Sequence, residues 1–435
     1  MDRMKLIPDI ETKSLLEIEA WQNGRLPDVL AYLQVKSLFY QKMFKQERID
    51  LSKIKTIRDL QYIPSCNKTD LFHHNQEFIC VPQQEIRDYV TTSGTSGDPV
   101  TFALSDNDLD RLAYNEAISF ACAGAKPGEV FQLMTTIDKR FMAGLAYFLG
   151  IRKLGGGIVR VGNGIPELQW ESIERFKPLT IICVPSFIIR LVEAAQKIGI
   201  DYRKCSVQKA VCIGENLREQ DFSLNLLGQR IKSLWNIDLY STYASTEMSG
   251  SFTECFCGKG GHHHPELLIV ELLDKQGNVV SEGETGELTI TTIGVEAMPL
   301  LRFRTGDLCR FYTEPCVCGR NTLRISPIIG RLNQMLKIKG TTIYPPVIFD
   351  ILDNMQEVQN YVVEINSSDF GTDLLKIFVD CPQIYDGIEK EIKDKFRAKL
   401  RIAPELCLIE RDELLKMQKV TERRKPIKLI DNRKN

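Results

Sequence analysis

Residues Thr91-Thr92-Ser93-Gly94-Thr95-Ser96-Gly97-Asp98-Pro99 set five hydroxyl side chains and two glycines between the apolar runs 89–90 and 100–104. Glycine lets a backbone approach a ligand closely. Hydroxyls and successive N–H groups make a concave cradle for an anion, and the chemistry they suit is holding a nucleotide triphosphate. No Lys-Ser or Lys-Thr follows Gly97, so the loop is not a Walker loop. A polar Gly/Ser/Thr loop with no ligand is the plainer alternative. A second chemical feature is the pair of Cys-x-Cys runs, Cys255-Phe256-Cys257 and Cys316-Val317-Cys318. With Gly260-Gly261-His262 close by, they read as a structural zinc site in a reducing compartment. The bland alternative is a set of small buried cysteines. His263 and His264 stand as exposed loop residues in one reading, and five histidines in all give no strong Ser-His-Asp arrangement.

The elements that must position these residues alternate. Strand-like runs at 130–134, 157–161, 180–184, 210–213 and 239–243 are separated by helical spacing over 107–123, 143–154, 186–198 and 218–232. This is an α/β fold with a mainly parallel sheet covered on both faces. Ligands of such sheets sit beyond the carboxyl ends of the strands, which puts Gly214-Glu215-Asn216 and Tyr243–Glu247 on one rim. The first ninety residues read as helices, with breaks at Gly24 and Pro27 and a short helix from Lys68 capped by Asn67 or Thr69. Beyond Thr285 the pattern becomes β hairpins, a β-rich subdomain at 286–292 and 301–307. The last hundred residues read as a small α+β unit: helices at 347–355 and 387–400, strands at 360–365 and 375–379. A boundary near Arg331 divides the chain into 1–330 and 331–435.

A chain of 435 residues with 43% hydrophobic and 26% charged residues has the composition of a soluble multidomain protein. A net charge of −1 supplies no field to recruit nucleic acid or anionic lipid. The first residues show no signal peptide, and no window is long and apolar enough for a membrane span. Thirteen scattered cysteines fit reduced core residues, and the expected location is cytoplasmic.

Five motifs in order resemble the adenylate-forming superfamily, phenylacetate–coenzyme A ligase branch, over nearly the whole chain. Thr92-Ser93-Gly94-Thr95-Ser96-Gly97 resembles its phosphate loop, and Gly214-Glu215-Asn216 its adenine-side loop. Tyr243-Ala244-Ser245-Thr246-Glu247 is similar to the aromatic-Gly-x-Thr-Glu motif and Arg304-Thr305-Gly306-Asp307 to the Thr-Gly-Asp motif. The run from Gly330-Arg331 to Lys337 is similar to the hinge. The resemblance implies an ATP-dependent acyl-CoA ligase that joins a small carboxylic acid to AMP and then to coenzyme A. It implies Mg²⁺ on Glu247, ribose hydroxyls on Asp307, and ribose or phosphate on Arg331. The C-terminal domain would be mobile, turning about Leu332-Asn333. The tail 421–431 resembles the motif that carries the catalytic lysine, which falls on Lys425, with Lys428 and Arg424 as other registers. The acyl pocket would involve Phe141-Met142-Ala143-Gly144.

For zinc the resemblance selects Cys255, His262, Cys316 and Cys318, with Cys257 as rival to Cys255. It also suggests a homodimer. The chain departs from the branch at Asp98, where lysine is usual, and at Ala244, where glycine is usual. Other acceptors, a carrier-protein thiol or AMP transfer itself, and a non-catalytic nucleotide-binding relative are the competing functions.

Overall fold

The computed structural model describes residues 5–92, 100–338, 341–367, 373–400, 402–420 and 426–433. The chain divides into two compact units, Met1–Ile328 and Ile329–Asn435.

The first unit opens with helices α1 (Leu15–Lys36) and α2 (Leu38–Gln46). The break expected at Gly24 and Pro27 does not occur. Burial of Leu26, Leu30 and Leu33 along one face carries α1 through the proline, outweighing one lost backbone hydrogen bond. The chain turns instead at Ser37, whose hydroxyl caps α2 through Tyr40 N–H. The short helix is Lys68–His73, and Asn67 is its cap.

Strands β1 (Asp88–Thr91) and β2 (Thr101–Leu104) then pair antiparallel. Next come α3 (Asp106–Cys122), β3 (Val130–Leu133), α4 (Met142–Leu154), β4 (Gly157–Arg160), α5 (Pro166–Phe176), β5 (Thr180–Cys183), α6 (Pro185–Ile198) and β6 (Lys209–Ile213). They are followed by α7 (Leu226–Leu234), β7 (Asp238–Ser245), β8 (Gly250–Glu254) and β9 (Gly261–His262). Strands β4-β3-β5-β6-β7 run parallel, as the alternation requires. Beyond β7 the sheet continues antiparallel through β8 and β9. Two expectations are corrected here. Helix does not begin at Arg218, because residues 218–224 form a tight turn closed by a bridge between Arg218 and Leu224. The stretch 166–176, absent from the expectation, is helical and buries Trp170 and Ile173.

A smaller sheet holds β10 (Leu268–Leu273), β11 (Gly286–Thr292) and β12 (Phe303–Cys309), paired antiparallel. It packs on the α1–α2 core through residues such as Leu288, Ile290 and Phe303.

The second unit is an α+β fold of α8 (Pro345–Asp353), β13 (Asn360–Ser367), β14 (Asp373–Asp380), α9 (Ile388–Leu400), β15 (Glu405–Leu408) and β16 (Leu429–Asp431). Its four-stranded sheet has the order β15-β14-β13-β16, so the tail strand β16 lies parallel beside β13. No helix among the described residues is long and apolar enough to cross a membrane.

Candidate active site

The register of β6 on β7 sets Ile213 beside Thr242, so the Gly214 loop and the Tyr243 motif leave the sheet side by side. The Tyr243 hydroxyl donates to Asp307 Oδ2 at 2.7 Å, joining the motif to the smaller sheet. Glu287 holds the Asp307 turn from behind: its carboxylate accepts Gly306 N–H at 3.0 Å and Arg304 Nε–H at 2.7 Å. Gly306 has φ of 80°, a conformation that suits glycine. Thr305 Oγ1 donates to Leu288 O at 2.8 Å. The aspartate is thus fixed by neighbours on two sheets and is 5% exposed.

Glu215 is occupied. Its carboxylate accepts Ser186 N–H at 2.9 Å and Ser186 Oγ–H at 3.0 Å, in the first turn of α6. A carboxylate there complements the helix dipole, so the side chain anchors the Gly214 loop. Asn216 is likewise used structurally, donating to Ile328 O at 2.9 Å. Ala244 is exposed; Ser245 and Thr246 are half-buried, and Ser245 Oγ accepts Met248 N–H at 3.2 Å. Glu247 lies half-buried in the turn 246–249 between β7 and β8.

Of the phosphate loop, Thr92 is described and Ser93, Gly94, Thr95, Ser96 and Gly97 lie outside the described residues, as does Asp98. Thr92 N–H donates to Val100 O at 2.9 Å, and its hydroxyl accepts Val100 N–H at 3.0 Å, closing the loop stem. The Phe141–Gly144 stretch begins α4. A Cβ at Gly144 would sit 2.0 Å from Thr136 O, so only glycine admits this close crossing.

In the second unit Arg331 stands at the start and Leu332–Gln334 form a single tight turn. Lys425 and Arg424 lie outside the described residues. Lys428 is engaged inside its own unit, with Nζ 3.1 Å from the Tyr361 hydroxyl and 3.4 Å from Asp353 Oδ1.

The ligand atoms of Cys255, His262, Cys316 and Cys318 lie within 4.8 Å of one another. Cys255 Sγ is 3.6 Å from Cys316 Sγ, and Cys318 Sγ is 3.5 Å from His262 Nε2. Tetrahedral zinc with bonds of ~2.3 Å sets sulfur ligands about 3.8 Å apart, and the four residues fit it. Burial keeps the His262 imidazole below its usual range, in the neutral form that ligates. Its Nδ1 faces Thr322 Oγ1 at 3.2 Å, leaving Nε2 for the metal. A hydrogen bond from Cys255, aided by His262, pulls the Cys318 thiol far down toward thiolate. Cys257 is outside this group; its N–H donates to Cys255 Sγ at 3.4 Å, as a supporting contact does.

His263 and His264 are buried, not loop residues at the surface. His264 Nδ1 is 2.5 Å from Glu11 Oε1, and Glu11 Oε2 accepts Arg320 Nε–H at 2.6 Å. Burial opposes the Glu11 charge, but His264 and Arg320 together hold its carboxyl below the ordinary range. Glu11, Glu287 and Ser186 are supporting residues that the motifs do not contain. Each acts across a long sequence separation, and no local pattern marks it.

A mainly parallel sheet with the Gly214 loop and the Tyr243 motif leaving it side by side, and Asp307 bonded to that motif, is an α/β architecture whose ligands sit beyond the carboxyl ends of the strands. The chain belongs to the AMP-binding enzyme family, which matches residues 21–297. Within it the chain falls in the phenylacetate–coenzyme A ligase branch, whose members are AMP-forming acid–coenzyme A ligases. It is 32% identical to the phenylacetate–coenzyme A ligase of Thermus thermophilus over 81% of this chain and 78% of that one. It is 26% identical to the Aromatoleum evansii phenylacetate–coenzyme A ligase over 95% and 96%. A solved 2-hydroxyisobutyryl-CoA ligase in its postadenylation state shares the fold. The TM-score is 0.84 and the identity 22%, covering 99% of this chain and 95% of that one.

Proposed function

We propose that this chain activates an aryl or other small carboxylic acid with ATP and passes the acyl group to coenzyme A. In the first step a carboxylate oxygen attacks the α-phosphorus and the bond to pyrophosphate breaks. In the second the coenzyme A thiolate attacks the acyl carbonyl, a carbon–sulfur bond forms and AMP leaves. The observation that carries the reading is the Tyr243–Asp307 hydrogen bond, which joins two nucleotide motifs 64 residues apart in one rim.

In this reading Asp307 takes the ribose hydroxyls, and Gly214 to Asn216 with Tyr243 to Thr246 border the adenine and acyl group. Thr92 to Gly97 cradle the phosphates. Glu247 suits Mg²⁺, a hard cation that prefers carboxylate and phosphate oxygens. Arg331 offers a planar fork to ribose or phosphate. Lys425 neutralises charge between the carboxylate and the α-phosphate. Residues 1–330 would carry nucleotide, acid and zinc, and 331–435 would be the mobile domain bringing Lys425. Zinc on Cys255, His262, Cys316 and Cys318 fills its tetrahedron with protein ligands, so its part is to staple the fold. A cytoplasmic site agrees with thirteen free cysteines, and a homodimer follows the family expectation.

Acid-dependent ATP–pyrophosphate exchange, over a panel of aryl and short-chain acids with Mg²⁺, tests the reading. Exchange with one acid class, lost in Lys425→Ala, is expected, followed by coenzyme A-dependent release of AMP. Silence across the panel while ATP still binds would refute it. Exchange with no coenzyme A-dependent release of AMP would move the acceptor to another thiol.

A further inference from the structure

We propose that Lys139 and Arg140 form a cationic wall for the polyphosphate of ATP, contacting the phosphoryl oxygens that depart as pyrophosphate. The inference rests on the adenylation reading above.

Four observations converge on this turn. Residues 138–141 make a tight turn closed by Phe141 N–H to Asp138 O at 3.2 Å, with φ of 56° at Lys139 and 57° at Arg140. Two consecutive left-handed central residues are the geometry that Asn-Gly ordinarily fills. This sequence places two exposed long cations there instead, and strain of that kind gathers at ligand clamps.

The turn is also tied to the root of the phosphate loop. The Arg140 carbonyl accepts Thr91 N–H at 3.0 Å, and the next residue, Thr92, closes the loop stem on Val100. The loop sequence 91–99 contains one acid and no lysine or arginine, so counter-charge for a polyphosphate must come from its surroundings.

Third, the turn leaves the carboxyl end of β3. That strand lies between β4 and β5, where successive connections depart to opposite sides, the switch point at which open α/β sheets bind ligands. Fourth, α4 starts at Met142, directly after the turn. The N–H groups and dipole of a 13-residue helix therefore add to the positive end of the turn.

The test uses Lys139→Asn/Arg140→Gly, which removes both charges while giving the turn its preferred residues, so folding is retained. Affinity for ATP and for AMP is measured by calorimetry with Mg²⁺ and no acid, and exchange kinetics follow with the best acid. The expected result is a loss of about tenfold or more in ATP affinity, with AMP affinity unchanged. The KM for pyrophosphate should rise in parallel, while those for acid and coenzyme A stay put. Wild-type exchange with an unchanged ATP-to-AMP preference in the variant overturns the inference and leaves the adenylation reading intact. An effect confined to the KM for coenzyme A also overturns it, assigning the cations to the phosphates of that substrate. Failure of the wild type to bind ATP at all takes down both.

Discussion

Replacing Glu116 with glutamine should stabilise the first unit, by an amount that grows with pH. Glu116 lies on α3 where that helix crosses α4 so closely that a Cβ at Gly150 would stand 2.2 Å from Glu116 Cβ. The residue is 5% exposed, and its polar contact is Asn115 Nδ2–H, donated to Oε1 at 3.0 Å. Burial pushes its carboxyl from an ordinary 4.5 up to about 8, with Asn115 pulling slightly the other way. The sign follows from proton binding. Between the two values the folded protein holds a proton that the unfolded chain releases, so rising pH favours unfolding. Stability is full below about 4.5 and falls until about 8. The gap amounts to about 5 kcal/mol above pH 8 and roughly 3 kcal/mol at pH 7. Glutamine keeps the shape and never ionises. Glu116→Gln should therefore match wild type near pH 4.5, exceed it by roughly 3 kcal/mol at pH 7 and approach about 5 kcal/mol at pH 9. Urea unfolding followed by tryptophan fluorescence reads this cleanly, because Trp21, Trp170 and Trp235 all lie in the first unit. A difference between the two proteins that does not change from pH 5 to 9 would refute the reasoning.

Two further outcomes follow from the same geometry. The purified protein should carry one zinc per chain, measured by elemental analysis; Cys318→Ser should lose it, lower the melting temperature, and expose Cys255 and Cys316 to thiol reagents. Full metal-free stability with unreactive thiols would remove the metal from the account. Tyr243→Phe deletes the 2.7 Å bond that orients Asp307 and should raise the KM for ATP about tenfold, the weight of a hydrogen bond to a carboxylate, while the KM for the acid stays level. An unchanged KM for ATP would mean that Asp307 is held sufficiently by the Gly306 turn.

What could be read from sequence was what local chemistry encodes. Apolar runs such as Thr180–Cys183 and Lys209–Ile213 announce buried parallel strands, because both faces of such a sheet are covered. The motif residues Tyr243 and Asp307 were legible by type and order, but their mutual bond was not, since it depends on how two sheets meet. Pro27 misled because proline signals a local break, while the leucines that override it speak only once packed. The positions of His263 and His264 were misread for the same reason. A histidine run looks polar, yet burial and the Leu268 carbonyl at 2.6 Å place His263 in the core, and Glu11, 253 residues away in sequence, accepts His264. The Lys139-Arg140 turn carried no signal, because neither residue type favours left-handed backbone.

That long-range contact also links the cysteine cluster to the strands that carry the Tyr243 motif. Strand β8 has the turn bearing Glu247 at one end and Cys255 directly after the other, and it pairs along its length with the motif strand β7. Its middle is gripped from α3: Asn115 Oδ1 accepts Ser251 N–H at 3.2 Å, and the Ser251 hydroxyl meets Ser119 at 2.8 Å. Ser119 in turn meets His264 Nε2 at 3.0 Å, and from His264 the contacts run through Glu11 to Arg320, whose Nη1 lies 3.8 Å from Cys318 Sγ. A buried polar chain rigidifies what it joins as far as its members are satisfied, and here Arg320 Nη2 at its far end has no hydrogen-bond partner among the described residues. Metal on the four ligands would fix its far end together with the end of β8. The register of Ala244 opposite Ser251, and with it the position of Glu247, is therefore set from the cysteine side of the sheet as well as from the Tyr243–Asp307 side.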